Sequence, residues 1–446
     1  MVRFWALVVI ALTTLGVAAR VIAEEAPAGR VYHIDEYTQA AMLRYPGLKA
    51  AAADIDAAQA RLIEARLSPF MQFQGRATFF VAPGAQGTTT FSPDSQEGGI
   101  PLYTFGKYRA GKKAATAGIR GSELERDRTM ARVVFDVRRA YFGTQLSLDL
   151  QAMISEGKNK LRKAVDKLDA RLKADDPRVR QTDYWRLVSA LSEIESRESE
   201  ALRLEASARA ALEILSGLKP AIVPECPLGV VESQVIELSE HVERAISNRP
   251  ELLQLEAART AKDANLTVKR AGYLPDILLA LRATFARTPG ITDIQNPFVI
   301  DRGNFAGAYA GLLAQWKLDF GGTHARVKAA KAEIQSLKAK TEEAEQGIEI
   351  EVTALYEQLQ DAKRRLESWT RAEKESRKWF VSAGQGYEIG TTTAMELVDA
   401  IEAYFSARSK RLMATAEYNV AIAGLEKATN MPLVSQKGWR PVDCGE

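Results

Sequence analysis

Two carboxylates, Glu396 and Asp399, lie three residues apart in a segment rich in helix-forming residues. On a helix, this spacing projects both side chains from one face and concentrates negative charge there. Clustered carboxylates attract cations and repel one another. An ordinary solvated acidic face is the alternative that the spacing alone leaves open.

Other reactive residue types form no catalytic or metal-binding pattern. The three histidines share no motif with one another or with a cysteine, so we expect them at the surface and predict no metal site: His33, His241 and His324. The glycines at 384, 386 and 390 have one residue too many for a dinucleotide loop and follow a helix, which predicts a hairpin turn. No G-x-S-x-G, H-E-x-x-H or phosphate-loop motif occurs. The sequence therefore predicts neither an enzyme nor a bound cofactor.

The two cysteines, Cys226 and Cys444, each lie in a segment containing proline or glycine. In an oxidising compartment they can pair, provided that the two segments meet. A Cys226–Cys444 disulfide is one interpretation, and two free thiols are the other.

The first 23 residues have the pattern of a secretory signal. Arg3 precedes an apolar run that fades near Ala19, and Val21-Ile22-Ala23 supplies small residues at a cleavage site. The run is too short to span a bilayer comfortably. We therefore predict a cleaved signal peptide over 1–23, with an uncleaved anchor as the alternative. No cysteine lies near the cut, which excludes a lipoprotein-type anchor.

Charge excludes a nucleic-acid partner. The 446 residues include 60 Lys and Arg and 57 Asp and Glu, a net charge of +3. Nucleic-acid binders usually carry a strong excess of basic residues.

The chain contains an internal duplication. Pro46 recurs as Pro250, each before an Ala-rich segment, and Phe105-Gly106 recurs as Phe320-Gly321. Further matches keep one constant offset of 215 residues, at Val137 and Val352 and at Tyr141 and Tyr356. The duplication predicts a first repeat over 24–217, a linker over 218–235, a second repeat over 236–431 and a tail over 432–446.

Each repeat predicts helices of unusual length. No proline occurs between Pro101 and Pro177 or between Pro297 and Pro432. A continuous helix from residue 107 to 171 would be about 98 Å long at about 1.5 Å per residue, so it must lie along neighbouring helices. A coiled-coil-like seam is predicted at four positions: Val398, Ile401, Phe405 and Leu412.

Alternating segments predict β-strands before each long helix. Residues 71–79 and 277–285 alternate between polar and apolar side chains, and return strands are expected to end at Leu102-Tyr103 and to cover 305–316. Half-buried soluble strands would show the same alternation. Aromatic residues predict an interfacial girdle, with packing at the barrel-to-helix junction as the alternative: Trp316, Tyr309, Phe79, Phe80 and Phe285.

Four membrane strands per chain would demand an oligomer. Four strands cannot close a barrel, and an open edge cannot lie in lipid. Eight strands close too narrowly for a duct, so a trimer with twelve is the smallest comfortable solution.

These motifs together resemble the TolC family of outer-membrane efflux proteins. The resemblance rests on the duplicated proline and Phe-Gly motifs and on the segments Tyr387–Thr392 and Glu396–Asp399. It implies a mainly α fold with a membrane β-barrel part: a homotrimer whose twelve-stranded barrel continues into a periplasmic α-helical tunnel. It further implies a mixed equatorial region, built partly from 218–235 and the C-terminus. The implied partners are a periplasmic adaptor and an inner-membrane pump of the RND or ABC type.

The resemblance also assigns gate residues. Glu396 and Asp399 match the two acidic positions that constrict the family's tunnel, where threefold symmetry would place six carboxylates around one axis. Tyr387 matches the family's gate tyrosine, and Asp183 matches an acid that receives closing hydrogen bonds.

Two departures from the family pattern concern closing and docking. Thr392 stands where many members carry a locking arginine, so no salt bridge is expected at that position. The first-repeat bend lacks the Gly-containing motif, and aligning Leu187 with Leu397 makes it five residues longer. Arg178 or Arg180 is our hypothesis for a substitute lock. The predicted adaptor-docking tip comprises five residues: Gly390, Thr391, Pro177, Arg178 and Arg180.

The function expected from these features is the exit duct of a tripartite efflux or type I secretion system in the outer membrane. A periplasmic coiled-coil scaffold without transport activity is the main alternative, and an envelope hydrolase would need a catalytic constellation that the sequence lacks. Drug, metal and protein cargo all stay open.

Overall fold

The structure is a computed structural model that describes residues 31–434 and 439, with internal gaps. The gaps are residues 71, 75–77, 82–88, 93–95, 177–178, 224–226, 287, 289–292, 297, 300 and 302–303, and side chains are described outside 71–98 and Ala394. The predicted signal peptide, Cys226 and Cys444 lie outside the described residues.

One series of elements occurs twice along the chain. The first copy comprises α1 (Ile34–Arg44), α2 (Pro46–Leu67), β1 (Gln72–Gln74), β2 (Thr78–Val81), β3 (Thr89–Ser92), β4 (Gln96–Tyr103), α3 (Lys107–Lys173) and α4 (Gln181–Ser216). The second comprises α5 (Leu238–Asn248), α6 (Pro250–Ala271), β5 (Asp276–Ala286), β6 (Phe305–Gln315), α7 (Phe320–Ile389) and α8 (Ala394–Thr429). Corresponding helices have equal lengths in three of four cases: 11 residues in α1 and α5, 22 in α2 and α6, and 36 in α4 and α8.

The two remaining helices, α3 and α7, are the long ones that the sequence predicted. They contain 67 and 70 residues, which makes each about 100 Å long at about 1.5 Å per residue. Gly106, with φ 86°, turns the chain from β4 into α3, while Asp319 caps α7 by accepting a hydrogen bond from Gly322 N at 2.9 Å. Within the described part of the chain, no helix combines the length and apolar character needed to cross a bilayer.

The strands form one antiparallel sheet in the order β1-β4-β5-β6, and β2 pairs with β3 in a separate ladder. The β4–β5 pair joins the two repeats, with Gln96 opposite Ala283. The predicted strands at 277–285 and 305–316 are confirmed as β5 and β6, and the return strand ending at Tyr103 is confirmed as β4. The outer strands β1 and β6 each pair on one side only within the described residues.

The linker and the C-terminal tail pack together at mid-height. Asn419 on α8 is fully buried; its Oδ1 accepts from Val231 N at 3.0 Å, and its Nδ2 donates to Gly229 O at 2.9 Å. Ser233 pairs with Val434 in an isolated antiparallel bridge. These contacts fasten residues 229–233 to the last helix.

The predicted seam on α8 is confirmed. Ile401 and Leu412 are buried, and Val398 and Phe405 are half-buried. Leu412 packs in a cluster with side chains of α3 and α4: Leu150, Met153, Ile154 and Ala201. The long helices thus bury apolar surface along their length, as a helix of about 100 Å requires.

His241 corrects the expectation of surface histidines. It is fully buried on α5, with its ring 5.9 Å from that of Tyr356 and no hydrogen-bond partner at either ring nitrogen. Burial lowers the pKa of His241, and the nearby Arg244 cation lowers it further against the opposing charge of Glu240. The ring behaves as a neutral packing group, which sequence spacing does not reveal.

We predict that His241 makes stability depend on pH. Because the folded protein lowers the pKa of His241, the unfolded chain binds its proton first, at about pH 6.5. Above that pH, His241 is neutral in both the folded and the unfolded chain. As the pH falls below it, protonation favours the unfolded chain, so the free energy of unfolding decreases. Thermal unfolding followed by circular dichroism from pH 8 to 5 should show His241→Phe losing less stability than the wild type. His324→Phe changes an exposed histidine and is the control. A gap between wild type and His241→Phe that stays constant with pH would contradict the prediction.

Candidate constriction at the hairpin tips

The second hairpin turns tightly just before the acidic pair. Gly390 has φ 81° and follows α7, a left-handed conformation that glycine adopts without strain. The Thr393 side chain then accepts a hydrogen bond from Glu396 N at 3.2 Å and caps α8. Glu396 therefore lies in the first turn of a helix, where a negative charge is favoured.

Thr391 and Thr392 close this turn onto α7. Their backbone N–H groups both donate to Gly386 O, at 2.8 and 3.2 Å. A Cβ atom on Gly386 would collide with Thr392 Oγ1, so the turn needs glycine at this position. Thr392 therefore has a structural contact in the turn.

The first hairpin has a longer connection. Residues 174–180 join α3 to α4, whereas residues 390–393 join α7 to α8. The sequence prediction of a longer first bend is confirmed, but the excess is three residues rather than five, because the helix ends do not follow the Leu187–Leu397 alignment. Pro177 and Arg178 lie outside the described residues.

Asp183 makes a local contact at the start of α4. Its Oδ2 accepts a hydrogen bond from Arg180 N at 3.3 Å. Arg180 is the N-cap residue of α4, so Asp183, the third helical residue, satisfies the N-cap backbone N–H as in a capping box, within one chain.

The acidic pair is joined to the first hairpin by an arginine that sequence reasoning missed. Arg186 on α4 donates from Nη2 to Asp399 Oδ1 on α8 at 2.7 Å, with both side chains nearly half exposed. Thr392 has no charge and forms no salt bridge, but Arg186 supplies an ion pair between the hairpins from a different position. No motif marks Arg186, since its pairing depends on the registration of α4 against α8.

A second contact between the hairpins involves Tyr387. Arg171 near the end of α3 donates from Nη1 to the Tyr387 hydroxyl at 3.4 Å, and it pairs with Asp176 at 2.8 Å through Nη2. Contacts of exposed charged groups are each worth about 0.2–1 kcal/mol. These polar contacts between the two hairpin tips are therefore weak, and they lie at the end of the helices remote from the sheet.

The described residues contain no group of three or more His, Cys, Asp and Glu side chains that could hold a metal ion. The described polar side chains at the tips include carboxylates, three arginines and a phenol, which act on ions through their charge. Such a set can attract or repel ions and can open when its ion pairs break.

We predict that Gly386→Ala loosens the second turn, because the new methyl group displaces Thr392. Limited proteolysis should cut residues 387–393 several-fold faster than in the wild type. Gly384→Ala lies on the same helix, where an added Cβ meets nothing within 4 Å, and should behave as the wild type does. Equal cleavage of both variants would show that the close approach at Gly386 is unimportant.

Comparison with known proteins places these features in a family. Residues 241–431, which cover α6 to α8, match the family described as "Outer membrane efflux protein". A search of curated proteins found no match.

Solved structures resemble almost the whole chain. The CusC structure, whose description concerns folding and transmembrane channel formation, is 17% identical, with a TM-score of 0.75 over 90% of this chain and 92% of that one. The open-state MtrE outer membrane channel of Neisseria gonorrhoeae is 18% identical, with a TM-score of 0.76 over 89% of both chains. The CmeC outer membrane channel of Campylobacter jejuni is 16% identical, with a TM-score of 0.71 over 91% of this chain and 87% of that one.

At these identities the structural matches show a shared fold. The second repeat, over residues 241–431, matches the outer membrane efflux protein family, and the chain as a whole has the fold of these outer membrane channels.

Proposed function

We propose that this outer-membrane efflux channel works as a homotrimer, the exit duct of a tripartite efflux or type I secretion system. The observation that carries the proposal is the pair of open sheet edges, at β1 and β6. A strand edge in lipid leaves backbone N–H and C=O groups without partners, and each such group costs several kcal/mol. Pairing β6 of one copy with β1 of the next removes the edges, and three copies give twelve strands.

The helical portion supports a periplasmic tunnel below this barrel. Helices α3 and α7 start next to the strands and run about 100 Å away from them, so the hairpin tips lie at the opposite end of the molecule. The tips are where a periplasmic adaptor with its inner-membrane pump would dock. Gly390, Thr391 and Arg180 are the described residues that we assign to this docking tip.

The acidic pair supports a gate in the same place. In a trimer, Glu396 and Asp399 would contribute six carboxylates near one axis, and Arg186 would neutralise three of them. The Arg186–Asp399 ion pair joins the two hairpins whose separation would widen the tunnel. We assign Arg186 and Asp399 to the closing latch, with Tyr387 and Arg171 as a second contact.

A trimer predicts heat-dependent migration. On a denaturing gel, the unheated membrane fraction should migrate near three times the mass of one chain, which is 49.0 kDa for the full sequence. The boiled sample should migrate near the mass of a single chain. The protein should fractionate with the outer membrane. A soluble periplasmic monomer would instead favour a coiled-coil scaffold without transport activity.

The latch predicts a conductance change in planar lipid bilayers. Three exposed ion pairs at about 0.2–1 kcal/mol each give about 0.6–3 kcal/mol, so Arg186→Ala or Asp399→Ala should raise the open fraction about three- to hundredfold. The charge swap Arg186→Asp with Asp399→Arg should restore closure.

Arg197→Ala is the matched control, because Arg197 is exposed on the same helix and its partners among the described residues are Glu193 and Glu200 of that helix. If Arg186→Ala and Arg197→Ala conduct alike, the ion pair does not hold the tunnel closed.

A further inference from the structure

A basic groove lies between α3 and α6. Its volume is about 620 Å³, and its floor is apolar, formed by Ala117, Leu253 and Ala257. Four cations of α3 line it: Arg109, Lys112, Lys113 and Arg120. Glu256 is the one acidic side chain that lines it.

Three of these cations have no neutralising partner. Arg109, Lys112 and Lys113 are exposed, and no carboxylate among the described side chains pairs with them. Arg120 contacts Glu123 at 3.5 Å, at the edge of the groove. The groove therefore keeps a strong local excess of positive charge, even though the whole chain is nearly neutral.

The groove lies directly beside the sheet. Helix α3 begins at Lys107, four residues after β4 ends at Tyr103, so Arg109 to Lys113 lie about 3–9 Å along the helix from its start. Exposed apolar side chains mark the same junction, at Leu102, Tyr103 and Trp316. Aromatic residues of this kind favour the membrane interface, and the headgroup layer on each side of a bilayer is roughly 5–8 Å thick. The unpaired cations would therefore lie at headgroup level.

The second repeat carries its cations at other positions. At the offset of 215 residues, Arg109, Lys112 and Arg120 correspond to His324, Val327 and Gln335, and only Lys113 has a basic counterpart, Lys328. The second repeat also carries three exposed lysines near this height, Lys317, Lys328 and Lys331, but none of them lines the groove.

We propose that this groove binds the phosphate-bearing headgroup of an anionic phospholipid in the periplasmic leaflet of the outer membrane. The cations of α3 contact the phosphate, Thr260 at the groove wall offers a hydroxyl donor, and the apolar floor accepts the glycerol region. The proposal rests on the membrane placement proposed above, which heat-dependent migration tests separately.

Native mass spectrometry of the delipidated trimer in uncharged detergent tests the proposal. Short-chain phosphatidylglycerol should bind at least tenfold more tightly than phosphatidylcholine of equal chain length. The triple variant Arg109→Gln, Lys112→Gln, Lys113→Gln should lose that preference while keeping its heat-dependent migration. The single variant Lys112→Gln should lose part of it, which keeps the test decisive if the triple variant does not assemble.

The matched control is Lys317→Gln, Lys328→Gln, Lys331→Gln. These three exposed lysines lie at the corresponding height of the second repeat, outside the groove, so the preference should persist. Equal loss in both triple variants would mean diffuse attraction to a charged belt, and would overturn the groove assignment. If an equal concentration of inorganic phosphate displaces phosphatidylglycerol, the groove binds a soluble anion rather than a lipid headgroup, and the proposal is overturned.

Discussion

The backbone hydrogen bonds of a four-stranded sheet are the constraint on which the rest of this molecule depends. In water, open edges at β1 and β6 would be tolerable, because solvent satisfies their N–H and C=O groups. In hydrocarbon they are not, so the sheet needs neighbouring copies. Assembly around an axis then decides what the helices must do: they enclose a tunnel, and residues at the tips meet their symmetry copies. A side chain at the tip can then interact with its own symmetry copies, which is impossible in a single chain.

Stability is unevenly distributed along the long helices. At mid-height, the buried side chains of α1, α3, α4 and α8 form one large cluster, and Asn419 holds the linker within it through two buried hydrogen bonds. Towards the tips, half-exposed ion pairs join the hairpins beside a much smaller apolar cluster of Leu161, Leu168 and Leu187. Local opening is expected where few apolar contacts are buried. A tunnel built this way can widen at its far end without unfolding its middle.

Periodicity and repetition in the sequence predicted most of the fold. Constant spacing between Phe105-Gly106 and Phe320-Gly321 revealed the duplication, and the absence of proline predicted long helices in both repeats, with α3 correct nearly to its ends. Two features escaped prediction for the same physical reason. The Arg186–Asp399 pair and the burial of His241 depend on how helices distant in sequence register against one another, which no local spacing encodes. The roles assigned to Glu396, Asp399, Tyr387 and Asp183 stay predictions, because they concern an axis shared by several chains.

Duplication gives the two halves one scaffold but leaves their surfaces free to diverge. Because α4 and α8 have equal lengths, the two hairpins extend equally far from the middle of the molecule, and their tips lie at the same level. No such requirement acts on the turn between α3 and α4 or on the exposed face at the start of α3, and both differ from their counterparts. Three of the four helix pairs agree in length, whereas the first turn and the placement of the cations at the start of α3 differ from their counterparts. Differences between repeats therefore indicate binding surfaces more directly than either repeat does alone.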